Sequence, residues 1–255
     1  MVELKALIFD VDGTLADTER DGHRVAFNRA FEQAGLDWNW SDALYGKLLK
    51  VAGGKERIRY YLDEFNQAFK RPEMLDEFIA GLHNSKTDYY TQLLSEGGIP
   101  LRTGVKRLID EARQSGLRLA IATTTTPANV SALLRYSLHE DSEQWFDIIA
   151  AGDVVPAKKP APDIYHYALE QLGLEAGECL AFEDSRNGIL SSVGAGLATI
   201  ITINGYTKDH DFKDALIVLD NMGEPDRPFK VIQGDAEQST YLDVDTLKQL
   251  FSRPE

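Results

Sequence analysis

The sequence predicts an α/β protein: a doubly wound parallel sheet with an all-helical segment inserted after its first strand. Short, wholly apolar runs alternate with helix-like segments, as buried parallel strands and their crossover helices do. Each run stops on a charged residue, a hydroxyl, an amide or a glycine. One stretch, 17–92, breaks the alternation and holds helical patterns only.

The expected strands are Ala6–Phe9, stopping at Asp10, then 117–122 at Thr123, 146–151 at Gly152, 179–182 at Glu183 and 198–203 at Asn204. Helices are expected at Val105–Gln114 and 164–172, closed by Gly116 and Gly173, residues suited to the left-handed turn that ends a helix. Inside the insert, helices are expected at 22–34, 42–51, 55–69 and 74–94, with linkers near 16–18 and 95–103. This divides the chain into a discontinuous core, 1–16 and 93–255, and a helical domain, 17–92. From Asp220 onward the sequence reads as surface loop before a last helix at Val244–Phe251.

A length of 255 residues suits a core plus an insert, and 43% apolar with 27% charged residues suits a globular chain. The single cysteine, Cys179, precedes Leu180-Ala181-Phe182 and reads as a buried core residue, with nothing to indicate an oxidising compartment. A net charge of −14 argues against nucleic acid and anionic membranes as partners. No signal peptide is legible, and no run approaches the roughly 20 apolar residues of a membrane span. The expectation is a monomeric protein of the cytoplasm, or of an organelle stroma after processing, whose partner is a small molecule.

The strand ends carry the chemistry, because open parallel sheets bind ligands at their carboxyl edge. A buried strand runs straight into Asp10-Val11-Asp12-Gly13-Thr14; a bare Asp-x-Asp is a common polar turn, but one placed there is rare. Thr123 is followed by Thr124, Thr125 and Thr126, with Thr126 and Pro127 suited to start a helix; alone this signal is weak. Lys158-Lys159-Pro160 could be a solvated pair. Glu183 and Asp184 are adjacent carboxylates at a buried strand end, which repel unless a cation compensates. As a set, these residues suit phosphoryl transfer. Asp10 and Asp184 offer hard oxygen ligands to Mg²⁺, Asp10 can attack phosphorus, and Asp12 is placed to protonate the leaving oxygen and then deprotonate water. Thr123 and a lysine can hold the equatorial oxygens.

These four segments, in this order, resemble the motifs of the haloacid dehalogenase superfamily over 1–16 and 93–205. The resemblance implies a Rossmann-like core with a C1-type cap, Asp10 as nucleophile and Asp12 as general acid/base. It maps the family lysine to Lys159 rather than Lys158. It places Mg²⁺ on Asp10, the backbone carbonyl of Asp12, and Asp184, with Glu183 orienting a metal-bound water or ligating directly. The insert, through Glu19, His23, Asn28, Phe31, Trp38-x-Trp40, Tyr45 and Gly53-Gly54-Lys55-Glu56-Arg57-Ile58, resembles the CbbY-like branch, as does Gly223-Glu224-Pro225. That branch comprises phosphatases that convert xylulose 1,5-bisphosphate, an inhibitor of the Calvin-cycle enzyme Rubisco, to xylulose 5-phosphate. By resemblance, substrate is held by Glu19, Tyr45, Gly53, Gly54, Lys55, Glu56, Arg57, His83, Lys86, Thr124, Thr125 and Asn129, whereas His23 reads as an ordinary helix-face histidine. After Thr123 the chain departs from the expected Ser/Asn/Lys-rich loop: hydroxyls are kept and a lysine is absent. Between Tyr45 and Arg59 lie five basic residues (Lys47, Lys50, Lys55, Arg57, Arg59) and one acidic, which suits a second anionic group on the substrate.

Two other functions fit the same sequence less well. A β-phosphoglucomutase-like enzyme would return the phosphoryl group to sugar rather than to water. A sugar-phosphate sensor would need no nucleophile beside a general acid.

Overall fold

The computed structural model describes residues 3–252. Its centre is a seven-stranded sheet: β1 (Ala6–Phe9), β2 (Arg118–Thr123), β3 (Ile148–Ala151), β4 (Cys179–Glu183), β5 (Ala198–Thr202), β6 (Ile217–Leu219) and β7 (Val231–Gln233). The order is β3-β2-β1-β4-β5-β6-β7, parallel throughout except for the antiparallel β6–β7 pair. This is the doubly wound topology expected, with β1 central between β2 and β4. The ends of these three strands therefore share one rim.

Side-chain size differs between the two faces of the sheet. One presents Leu7, Phe9, Leu119, Ile121, Leu180 and Phe182 to the larger core. The other presents mostly small residues, Ala6, Ala120, Ala122, Cys179 and Ala181. Against the large face pack α5 (Val105–Gln114), α6 (Pro127–Leu133) and α9 (Val244–Phe251); against the small face packs α7 (Asp163–Leu172). Both sides bury apolar surface, as the two-sided strands require. Cys179 is fully buried, as its neighbours predict.

Between β1 and α5 the regular elements are all helical: a π-helical turn, Glu19–His23, continuous with α1 (Arg24–Gln33), then α2 (Asp42–Leu48), α3 (Gly54–Glu64) and α4 (Leu75–Ser95). They enclose their own aromatic cluster, in which Phe27, Phe31, Trp38, Trp40, Tyr45 and Tyr61 meet Leu48, Ile58 and Leu62. Trp40 and Tyr45 are wholly buried there. The two chain connections run side by side, joined by an antiparallel bridge between Ala16 and Leu101.

The tail departs from the surface loop expected of it. Met222, Phe229, Ala236 and Leu242 are buried in the larger core, and β7 adds an edge strand. The helix after β4, α8 (Arg186–Gly194), is not among the expected helices, because Gly188, Ser191, Ser192 and Gly194 give it little intrinsic helix preference. Its start is fixed by Ser185, whose side chain accepts a hydrogen bond from the Gly188 N–H.

Candidate active site

Asp10 leaves the sheet at the end of β1, its N–H donating to the Phe182 carbonyl (3.0 Å). Lys159 Nζ lies among three acceptors: Asp10 Oδ1 (2.7 Å), the Ala122 carbonyl (2.8 Å) and Glu183 Oε1 (2.5 Å). Both Lys159 and Asp10 are buried, and the Lys159–Pro160 peptide is cis. Burial opposes the lysine's charge, but Asp10 and Glu183 outweigh burial and hold the ammonium well above its usual range. Lys158 instead pairs with Asp153 (2.6 Å), on the rim of the cavity beside the centre. Glu183 is held further by the Tyr165 hydroxyl (2.7 Å) and fills the space where a side chain on Gly188 would stand.

Asp10, Glu183 and Asp184 each offer a carboxylate oxygen within 4.8 Å of one another. Burial pushes Asp10 up to about 7 against the pull of Lys159. Burial, with Asp10 and Glu183 nearby, pushes Asp184 well above the carboxylate range. Three buried carboxylates with one lysine between two of them are short of positive charge, and their all-oxygen donor set fits a hard divalent cation. Gly13, at φ +90°, closes the loop tightly: a Cβ there would stand 2.4 Å from Asp184 Oδ2.

Asp12 points to the insert. Its Oδ1 accepts from Thr18 Oγ1 (2.6 Å) and lies 2.8 Å from His23 Nε2, while His23 Nδ1 lies 2.8 Å from Lys86 Nζ. Burial disfavours ionisation of Asp12, but His23 and Thr18 overcome it and hold the carboxyl well below the usual range. His23, read from sequence as a plain helix-face residue, thus touches a candidate catalytic acid. Burial lowers Lys86 to about 8, with Asp12 and Glu19 opposing.

Two cavities meet over this centre. One, of about 560 Å³, is lined by Asp10, Thr123, Lys159, Glu183 and Asp184. The other, of about 590 Å³, is lined from the insert by Gly53, Gly54, Lys55, Glu56, His83 and Lys86, and from the sheet rim by Thr125 and Asn129. Asp12, Glu19, Arg57 and Thr124 line both. Tyr45 stands behind this boundary: its hydroxyl donates to Glu19 Oε2 (2.5 Å) and accepts from Arg57 Nη1 (2.7 Å). Gly53, at φ +89°, leaves room for Glu56 to fold back over it. Gly54 gives His83 the same freedom, and burial lowers that imidazole to about 3. Asn129 donates to Thr125 Oγ1 (2.9 Å), and its buried Oδ1 has no hydrogen-bond partner among the described residues.

The five basic residues of 45–59 do not converge. Lys55 reaches across to Asp153 on the core (2.6 Å), Arg57 is buried with Glu19, and Arg59 pairs with Asp76 on the surface. Lys47 and Lys50 line the first cavity only. Sequence reading also missed Tyr165, Thr18 and Asn204, whose Nδ2 donates to Asp184 Oδ2 (2.6 Å). Asn204 is visible in the sequence only as the end of an apolar run, and nothing local marks Tyr165 or Thr18, since each meets its partner only through the fold.

Residues 4–196 match the haloacid dehalogenase-like hydrolase family. The protein CbbY encoded on a plasmid of Cupriavidus necator is 49% identical over 225 residues, 88% of each chain. The crystal structure of CbbY from Rhodobacter sphaeroides in complex with phosphate superposes at a TM-score of 0.79, with 45% identity over 87% of this chain and 95% of that one. A mutant of that protein, in complex with xylulose-(1,5)bisphosphate, superposes equally well at 44% identity with the same coverage. A phosphorylated carbohydrates phosphatase of Thermotoga maritima is 29% identical over 85% of this chain and 91% of its own. Among the described residues no helix is long and apolar enough to cross a membrane. The chain belongs to the haloacid dehalogenase-like hydrolases, in their CbbY-like branch, and is a phosphatase.

Proposed function

We propose that this phosphatase hydrolyses a sugar bisphosphate, xylulose 1,5-bisphosphate, to xylulose 5-phosphate and inorganic phosphate through an aspartyl-phosphate on Asp10. The observation that carries the reading is Asp10 at the end of the central strand, its Oδ1 2.7 Å from Lys159 Nζ, with Glu183 and Asp184 around it. Mg²⁺ fits this donor set, held by Asp10, the Asp12 backbone carbonyl and Asp184, with Glu183 as ligand or as anchor of a bound water. Bound there, the ion neutralises the charge that otherwise repels a phosphate ester and draws electron density from the phosphoryl oxygens.

An Asp10 carboxylate oxygen attacks phosphorus and the ester P–O bond breaks, while Asp12, held low by His23 and Thr18 in the free site and raised by the negative charge of bound substrate so that it takes up a proton, delivers that proton to the leaving sugar oxygen. Asp12 then takes a proton from water. The water oxygen attacks the same phosphorus, the P–O bond to Asp10 breaks, and phosphate leaves with the carboxylate restored. Lys159 and Thr123 hold the transferring group as charge spreads over its oxygens. Segment 17–92 acts as the cap domain, excluding bulk water during the first step. Glu19 accepts from sugar hydroxyls, and Gly53 to Arg57, with His83 and Lys86, receive the distal phosphate. Thr124, Thr125 and Asn129 shape the remaining walls, and Tyr45 acts from behind them by holding Glu19. The two cavities meeting at Asp12 support this division, and the relative's complex with xylulose-(1,5)bisphosphate supports the choice of substrate.

The test is phosphate release with Mg²⁺ from xylulose 1,5-bisphosphate, ribulose 1,5-bisphosphate and sugar monophosphates. Xylulose 1,5-bisphosphate is expected to have the highest kcat/KM, and Asp10→Asn to lose at least ~10³-fold. Unchanged turnover in Asp10→Asn overturns the mechanism; absence of substrate preference overturns the substrate alone.

A further inference from the structure

The turn that leaves β5 lies beyond residue 196, where the family match ends, and it touches three parts of the molecule at once. Asn204 Nδ2 donates to Asp184 Oδ2 (2.6 Å), while its Oδ1 accepts from the Tyr206 N–H (2.9 Å). Its own N–H donates to Thr207 Oγ1 (3.0 Å), so the amide is held at both ends. Just upstream, the Ile203 carbonyl accepts from Arg102 Nη2 (2.5 Å). Arg102 belongs to the second chain connection, donates also to the Gly13 carbonyl, and pairs with Asp17 of the first connection (3.4 Å). Downstream, Tyr206 leaves the sheet and enters the aromatic cluster of the insert. Its hydroxyl donates to Asp42, and its ring meets Tyr45 edge-on at 6.2 Å between centroids. Gly46 makes room for it, since a Cβ there would stand 3.2 Å from the ring. Tyr45 is the residue that holds Glu19.

We propose that residues 204–206 couple the seating of the helical insert to the orientation of Asp184, with Asn204 as a positioning residue for that carboxylate and Tyr206 as its contact with the insert. This rests on the reading that Asp184 helps to hold the divalent cation. Asn204 fixes the rotation of the Asp184 carboxylate by occupying one of its oxygens. A shift of the insert draws on Tyr206, and the Tyr206 N–H draws on Asn204. Substrate that seats the insert therefore improves the cation site, and by linkage the cation improves sugar-phosphate binding by the same factor.

Direct Mg²⁺ titration calorimetry, with and without xylulose 5-phosphate, tests this on the full chain. In the wild type, xylulose 5-phosphate is expected to tighten Mg²⁺ about 5-fold or more, within the usual range of such coupling, and Asp184→Ala to abolish Mg²⁺ binding. Asn204→Ala is expected to weaken Mg²⁺ about 10-fold, the scale for losing a hydrogen bond behind a ligand, and to lower kcat with KM for the sugar little changed. Tyr206→Ala is expected to bind Mg²⁺ normally when free and to lose the tightening. Should either alanine variant fail to fold, Asn204→Ser and Tyr206→Phe, which keep most of the local packing, are read the same way. Wild-type Mg²⁺ affinity in the Asn204 variants, or full coupling in the Tyr206 variants, overturns the inference while the Asp184 reading stands. Mg²⁺ binding that ignores Asp184→Ala overturns both.

Discussion

Replacing Lys159 with methionine keeps most of the side chain's volume and removes its charge. The substitution deletes the Nζ hydrogen bonds to Asp10 Oδ1 (2.7 Å), the Ala122 carbonyl (2.8 Å) and Glu183 Oε1 (2.5 Å), at a side chain 5% exposed. Asp10, Glu183 and Asp184 then face one another with no cation among them. Removing one partner of a buried ion pair costs about 3–5 kcal/mol. In a chain of this size each kcal/mol shifts Tm by about 2–4 °C, so the expected loss is about 6–20 °C. The loss depends on pH in a defined sense. Burial already raises the folded Asp10 carboxyl to about 7, and Lys159 is the main counterweight. Without the lysine the folded value rises further, the native state binds more protons than the unfolded one, and stability falls as pH rises. Calorimetric melts in EDTA should therefore show a small deficit at pH 5 and a large one at pH 8, with Mg²⁺ recovering part of the latter. An equal deficit at every pH, or none, refutes the claim that this amine balances the buried carboxylates.

Three further outcomes are expected. Burial lowers His83 from 6.5 to about 3, so its contribution to stability is complete above pH 6.5 and is lost as pH falls toward 3; in melts across that range His83→Leu should flatten the slope. Burial pushes the Cys179 thiol up to about 12, so a thiol reagent at pH 8 should label the folded protein at least about 100-fold more slowly than the unfolded chain. The Lys55–Asp153 pair is half-exposed, so Lys55→Ala should change stability by less than about 1 kcal/mol while raising KM for a bisphosphate more than for a monophosphate.

The strand ends were legible because buried parallel strands announce themselves as continuous apolar runs, and a charge ending such a run sits at the rim. Asp10, Glu183 and Asp184 follow from that rule alone, and the structure gathers them with Thr123, whose own signal is weak. Lys159 needed the family resemblance, since nothing local separates it from Lys158. The strands β6 and β7 are not legible: each has only three residues, and β7 is an exposed edge without a two-sided apolar pattern. The buried tail reads as loop because its apolar residues, Met222, Phe229, Ala236 and Leu242, follow no helix or strand period. Asn204, His23 and Tyr165 share a different cause. Each is an ordinary residue of a turn or helix, and its meaning lies in a partner 11 to 20 positions away. The cap cavity falls between these cases: its glycines and basic residues were visible, but the separation of Lys47 and Lys50 from Lys55 was decided only by the helix geometry.

The most direct test of the account is to quench turnover in acid during steady-state hydrolysis with Mg²⁺, digest the protein, and weigh the peptide that carries Asp10. A phosphoryl group on Asp10, absent from Asp10→Asn and from enzyme without substrate, is the predicted result. Full-rate phosphate release with Asp10 unmodified in rapid-quench samples, or the phosphoryl group on another side chain, contradicts it.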